Sequence, residues 1–388
     1  MLLKLFKLKA SKGFIPLLIA QFLSALADNA LLFAAIALLA QLNSPHWHQP
    51  LLLQFFVISY IILAPFVGGI ADAYPKGRVM FYSNAIKFIG SLSMLLGMQP
   101  LYAYAIVGVG AAAYSPAKYG ILTELLPPKE LVMANGWMEG STVFAIILGS
   151  IIGGALAQFD PLVAIIIITG LYLLAAIFNR YIPLLPIDHK LPKKNPWFMV
   201  KDFWHAFKVL WKDPEGQLSL AVTTLFWGAG ASLRLIVIAW AGYALQFNLE
   251  ESTRLTAMVA FGIAIGSVIA ARYISLKDSV KVLPAGVLMG GFVMSMIVIH
   301  NWYIASLIFL LIGALSGFFI VPLNALLQHR GHLLAVQNFN ENIGILLLSG
   351  TYTWMVREEF SINTIIILLG LFVSMTMLAI YKHYKKII

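Results

Sequence analysis

Cysteine is absent from all 388 residues, and charge is scarce: Asp, Glu, Lys and Arg together make 11% of the chain. The first absence excludes disulfides, thiolate nucleophiles and zinc–cysteine sites. The second excludes a soluble globular protein of this length, since 61% of the residues are hydrophobic and the mean hydropathy is +0.88. No GxxxxGK[ST] phosphate loop occurs, so an ATP-driven pump is not built into the chain. None of the eight histidines is followed five residues later by aspartate, which removes the usual acyltransferase dyad. His46 and His48, without further ligand types nearby, are read as loop residues rather than a metal site. We therefore expect neither an enzyme nor a cofactor or metal.

What is present is a series of long apolar runs. At about 20 residues per crossing, they give spans at 13–42, 50–72, 78–97, 100–123, 131–157, 161–184, 217–247, 253–275, 281–300, 302–327, 333–356 and 361–381. Unalternating runs of this length are helical, because only helices or closed barrels satisfy backbone groups in lipid. The net charge of +10 does not form one continuous patch, so nucleic acid is not the expected partner. It reports topology. With both termini cytoplasmic, every Lys and Arg except Arg254, Arg357, Lys87, Lys118 and Arg234 falls in a cytoplasmic segment or at its helix ends. Lys4, Lys7, Lys9 and Lys12 before an apolar stretch imitate a signal peptide, but the apolar run continues past Ala25-Leu26-Ala27 from Leu31 to Ala40, so an uncleaved first helix is expected.

The polar interval 185–216 divides the chain into an N-terminal six-helix bundle, residues 1–184, and a C-terminal one, residues 217–388. Its first part, 186–194, is basic and broken by proline. From Trp197 to Trp211, aromatics alternate with Lys201, His205, Lys208 and Lys212, which suits a helix lying on an anionic leaflet. The two bundles read as repeats: Ala134-Asn135-Gly136-Trp137-Met138-Glu139 parallels Val336-Gln337-Asn338-Phe339-Asn340-Glu341, and Pro116-Ala117-Lys118 parallels Pro322-Leu323-Asn324. Parallel repeats with a site at mid-membrane are a transporter architecture.

Charges inside spans mark the candidate site, since one at the bilayer centre costs about 2.5–3.5 kcal/mol. Asp28, with Asn29, lies in the first span, and Arg234 lies at similar depth in the equivalent seventh. They are expected to bind a dipolar substrate or to close a charge-paired gate. Lys118 and Glu139 flank one cytoplasmic turn and can meet; Glu341, among Asn338, Asn340 and Asn342, gives the second half a matching cluster. Lys87, with Asn84, is expected to snorkel toward the surface. Gly149 and Gly153, then Gly262 and Gly266, recur at four-residue spacing. Such seams pack helices closely, and they are also candidate lateral gates.

The loop Gly68-Gly69-Ile70-Ala71-Asp72-Ala73-Tyr74-Pro75-Lys76-Gly77-Arg78 resembles the signature between the second and third helices of major facilitator transporters, in which an acidic residue pairs with basic neighbours as a conformational latch. Asp72, Lys76 and Arg78 carry that role here. Ala73 and Pro75 depart from the signature, as does Ser150 in the glycine motif of the fifth span, which argues against a typical drug–proton antiporter. The strings from Ala20 to Phe33, Ala113 to Gly120, Phe226 to Gly230 and Val321 to Gln328 are similar to the bacterial lysophospholipid transporter (LplT) family over nearly all twelve spans. The resemblance implies a facilitator of the bacterial inner membrane that moves lysophosphatidylethanolamine and related lysolipids from the outer to the inner leaflet. A partner acyltransferase–acyl carrier protein synthetase would reacylate them. By the same resemblance Asp28 and Arg234 are central charges of the substrate path, and Lys118 a further one. Two alternatives stay open: a proton-coupled exporter of drugs or other amphiphiles with Asp28 as the coupling carboxylate, and a transporter-like sensor.

Overall fold

The structure, a computed structural model, describes residues 13–184, 196–274, 278, 281–329 and 334–385. The basic N-terminus (Lys4, Lys7, Lys9, Lys12), the proline-broken stretch 185–195, Lys277 and Arg330 lie outside the described residues. All regular structure within them is helical: α1 (Phe14–Gln41), α2 (His48–Ala73), α3 (Lys76–Leu95), α4 (Pro100–Leu125), α5 (Pro128–Phe159), α6 (Pro161–Asn179), α7 (Pro196–Lys212), α8 (Pro214–Ala244), α9 (Leu249–Tyr273), α10 (Leu283–Ser295, prolonged by a 3-10 turn Met296–Val298), α11 (Trp302–His329), α12 (Leu334–Arg357) and α13 (Ile362–Tyr384). With α7 set apart as the linker helix, twelve helices remain, and they answer to the twelve expected spans.

Local chemistry sets the starts. Prolines open α4, α5, α6 and α8, where the missing N–H has no intrahelical partner to lose. The Asp160 carboxylate accepts from the Leu162 and Val163 N–H groups at 2.7 and 3.0 Å to cap α6, and Asn248 with Glu251 forms a capping box on α9. Pro116 and Pro322 lie inside α4 and α11, at the positions the repeat aligns.

By length and composition alone, eight helical segments among the described residues are apolar enough to cross a bilayer. The others include α3, α4 and α12, which carry the buried charges Lys76 and Lys87, Lys118, and Glu341. The charges these three helices bury lower their apolarity, whereas α1, which carries Asp28, is among the eight. On the outside, α6 exposes Ile166, Leu173, Leu174 and Ile177 while burying Ile165, Ile168, Tyr172 and Ala175. An apolar exterior of this extent is what lipid covers.

Two compact units gather these elements, Met1–Leu42 with Phe55–Trp204, and Asn43–Gln54 with His205–Ile388. Inside the first, α1 packs on α5 and α6, and α3 on α4 and α6. Inside the second, α8 packs on α12 and α13, and α10 on α11 and α13. These four pairings correspond between the units, helix for helix, as the repeat requires. The fold is the all-α, twelve-helix arrangement of two pseudo-symmetric six-helix bundles.

The glycine seams lie within the units. A Cβ on Gly153 would stand 2.6 Å from Ala30 Cα, and one on Gly149 would stand 2.8 Å from Asn29 Cβ, both on α1. Gly262 and Gly266 face α11, where added Cβ atoms would come within 2.7 Å of Ala314 N and Ala314 C. These faces are filled by helices of their own unit, so the seams act as close packing, and a sideways opening there would have to split a unit. Because the obstructing atoms at Gly266 are backbone, Gly266→Leu is expected to cost about 1–3 kcal/mol by overpacking. Gly170→Leu, with nothing within 4 Å, should cost little. Thermal unfolding of the purified protein in detergent checks this: a lowered midpoint is expected for the first variant and an unchanged one for the second.

Candidate functional site

Three polar stripes at helical spacing meet inside the first unit: Gln21, Ser24 and Asp28 on α1; Asn84, Lys87 and Ser91 on α3; Thr169, Tyr172 and Asn179 on α6. Asp28 is at their centre. Its Oδ2 accepts from Lys87 Nζ at 2.6 Å, and its Oδ1 accepts from the Tyr172 hydroxyl at 2.9 Å. The Lys87 ammonium also donates to Ser24 Oγ at 3.0 Å and lies 5.0 Å from the centre of the Tyr114 ring. Ser24 in turn donates to Asn84 Oδ1 at 2.8 Å, and Asn84 Nδ2 to Asn179 Oδ1 at 3.3 Å. One turn further along, Ser91 and Thr169 share a hydrogen bond of 2.7 Å.

Lys87 therefore does not snorkel. Its side chain is 1% exposed, whereas that of Asp28 is 26% exposed. The reason is the face it occupies: Asn84 and Ser91, three residues before and four after, turn the same side of α3 inward, and a carboxylate waits there. The ammonium gains more from Asp28 and Ser24 than from reaching the surface. With a cation and a phenol on opposite oxygens, the carboxylate keeps about two of its four lone-pair directions unused among the described residues. An anion fixed from behind and open in front is suited to receive a second cation.

Asn29 beside it donates to Ala25 O at 2.8 Å, and thus back onto its own helix. Arg234 lies on α8 in the second unit, so the counter-charge that Asp28 meets in its own unit is Lys87. Lys118 is buried at 7% exposure and donates to Thr142 Oγ1 at 3.2 Å, as does Gln21 Nε2 at 3.1 Å. The expected meeting of Lys118 with Glu139 lies outside the described residues, because the Glu139 side chain is among those not described.

The second unit holds a layer equivalent by the repeat. Glu341 on α12 is 8% exposed and accepts from Gln337 Nε2 at 2.7 Å; Gln337 also donates to Asn324 Oδ1 of α11 at 3.2 Å. Asn340 accepts from the Trp211 indole of α7 at 3.3 Å. Asn342 and Asn338 are joined along their own helix, Nδ2 to O, at 2.7 Å. By the repeat the cation Lys118 corresponds to the neutral Asn324, and Glu139 to Glu341.

At the α2–α3 turn, Lys76 meets Asp72 at 3.5 Å and makes a tight ion pair with Glu124 at the end of α4. The Lys76 side chain is buried, and a Cβ on Gly120 would collide with it, so glycine there makes room for the lysine stem. Arg78 is exposed and has no ion pair among the described residues. The structure thus brings together Asp72 and Lys76 of the signature and replaces Arg78 by Glu124, which sequence reasoning passed over. Tyr172, Ser24, Thr142 and Gln337 were missed as well. The signal for Ser24 and Gln21 was legible, as polar residues four and seven positions before Asp28. Tyr172 lies in an apolar run with nothing local to mark it.

Residues 17–349 match the family model of the Major Facilitator Superfamily. The chain is 47% identical over 355 residues to a protein of Yersinia enterocolitica named lysophospholipid transporter LplT, covering 89% of this chain and 88% of that one. To the protein of the same name from Serratia proteamaculans it is 46% identical, covering 89% of each. Among solved structures, it is similar to the nucleoside transporter NupG, with a TM-score of 0.73 at 12% identity, covering 96% of this chain and 99% of that one. A bacterial homologue of the human lysosomal transporter Spinster, in an inward-facing and unoccupied conformation, gives a TM-score of 0.67 at 14% identity, covering 96% and 97%. These last two likenesses concern the fold alone.

Removing one member of a buried ion pair strands the other and costs about 3–5 kcal/mol, whereas removing both is far cheaper. Asp28→Asn and Lys87→Met are each expected to lower the thermal unfolding midpoint, and the double variant to regain most of the loss. Losses that simply add in the double variant would mean that the two charges do not depend on each other.

Proposed function

This chain belongs to the lysophospholipid transporter family of the major facilitator superfamily, and on that premise we propose that it carries lysophosphatidylethanolamine and related lysolipids across the bacterial inner membrane, from the outer to the inner leaflet. In this reading both termini are cytoplasmic, and the protein is a carrier whose product is reacylated by a separate acyltransferase–acyl carrier protein synthetase. The observation that carries the reading is the anchored and partly open carboxylate of Asp28. An ethanolamine headgroup presents an ammonium, and a charge-assisted hydrogen bond to an aspartate already fixed by Lys87 and Tyr172 needs little reorganisation.

The phosphate of the same headgroup calls for a cation, a role assigned here to Arg234 with Lys118 as a further candidate. Arginine suits it because its planar fork matches phosphate oxygens in pairs. Asn29, Glu139 and Glu341 complete the proposed polar path, and Asp72, Lys76 and Glu124 form the proposed latch. The lipid tail is apolar and need not leave hydrocarbon. The glycine pairs of α5 and α9 are not part of this path, since helices of their own units fill them.

Flux of fluorescent lysophosphatidylethanolamine into vesicles containing only this protein tests the proposal. Wild type is expected to move the lipid without an imposed pH gradient. Asp28→Asn, Arg234→Gln and the doubly neutral Asp28→Asn/Lys87→Met variant should lose most of it, the last despite its regained stability. Flux that follows the pH gradient would favour the proton-coupled exporter, and near-normal flux in the doubly neutral variant would remove Asp28 from the substrate path.

A further inference from the structure

The linker helix α7 has two unlike faces. Phe203 and Leu210 are buried, and Phe207 packs on Phe339 of α12 with ring centres 6.0 Å apart. The opposite face is exposed, and its order around the helix is regular: Trp197 and Trp204, 72% and 43% exposed, run along one flank, Lys201, Lys208, Lys212 and His205 run beside them, and Phe198 and Val209 close the other flank. Asp202 lies at the edge of this face as its one acid. Indoles and apolar side chains flanking a lysine stripe match the layered chemistry of a lipid surface, in which phosphates lie beside glycerol and the first methylenes.

A soluble partner would instead have to bury exposed indoles and lysines together, against an acidic and apolar surface of its own. The chain brings α7 to the bilayer without help, since α8 starts at Pro214, directly after it. We infer that the outer face of α7 rests on the anionic lipids of the cytoplasmic leaflet, and that this contact is transmitted to the polar layer of α12. Transmission has a physical route. The Trp211 indole donates to Asn340 Oδ1 at 3.3 Å, Gln217 of α8 holds the Trp211 carbonyl, and Asn340 directly precedes Glu341. Lipid contact at one face of α7 thereby fixes the turn of α12 that carries the buried carboxylate. The inference rests on the cytoplasmic placement of α7 and on lysolipid carriage as proposed above.

The test compares vesicles of phosphatidylcholine alone with vesicles in which part of it is replaced by phosphatidylglycerol. Two readouts are used: lysophosphatidylethanolamine flux, and a polarity-sensitive dye on Val209→Cys, which the cysteine-free chain makes unique. For the wild-type sequence, phosphatidylglycerol should raise flux several-fold and shift the dye to an apolar signal. The variant Lys201→Gln/Lys208→Gln/Lys212→Gln should keep its flux in neutral vesicles and lose both responses. Trp211→Phe should keep the dye shift and lose the rise in flux. An unchanged response in the triple variant overturns the inference, as does a dye that shifts only when a soluble protein partner is added. Absence of flux in every vesicle, with the dye still responding to phosphatidylglycerol, would count against lysolipid carriage and the transmission to α12, and would leave the lipid contact standing.

Discussion

A buried lysine and a half-buried aspartate among membrane helices have to find each other, and the first unit is arranged around that requirement. Asp28 and Lys87 sit 59 positions apart in the chain and 2.6 Å apart in space. Desolvating two charges is expensive, and their attraction offsets the cost only when the remaining donors and acceptors are also satisfied. Ser24, Tyr172, Asn84 and Asn179 supply those partners, so one polar contact recruits side chains from α1, α3 and α6. The result is a carboxylate that cannot turn away or choose another partner easily. Preorganisation of this kind suits a carrier, which has to bind a headgroup without paying to rearrange its own site.

The repeat makes the units comparable and also shows where they diverge. Both contain a proline inside the fourth helix of the unit and a polar residue two positions later, but the first unit has Lys118 there and the second Asn324. Both carry a glutamate at the matching place on the fifth helix, and in the second unit Glu341 is held by neutral groups. A headgroup with one positive and one negative end is served by such asymmetry better than by two identical halves. The proposed latch likewise has a buried cation, Lys76, shared between acids at the ends of α2 and α4.

Much of this was legible in the sequence, because span length, loop charge and proline placement are local signals. Twelve spans and their pairing into repeats follow from them, and the charges inside spans stood out by cost alone. Partnership was harder to read. Lys87 lay close enough to a helix end to reach water, and only the inward face shared with Asn84 and Ser91 argued otherwise; Tyr172, in a run of apolar residues, gave no sign of its role. The glycine pairs were visible as seams, yet which helix fills a seam is a long-range fact. Close approach of Gly153 to Ala30 and of Gly266 to Ala314 makes them internal contacts, and no four-residue spacing reveals that.

The central claim is that Asp28, held from behind by Lys87 and Tyr172, receives the ammonium of a lysolipid headgroup. A structure of the protein determined with lysophosphatidylethanolamine bound tests it most directly. The account predicts the headgroup nitrogen within hydrogen-bond distance of Asp28, with the Lys87 and Tyr172 contacts still in place. A headgroup bound elsewhere, with Asp28 paired only to Lys87, would contradict it.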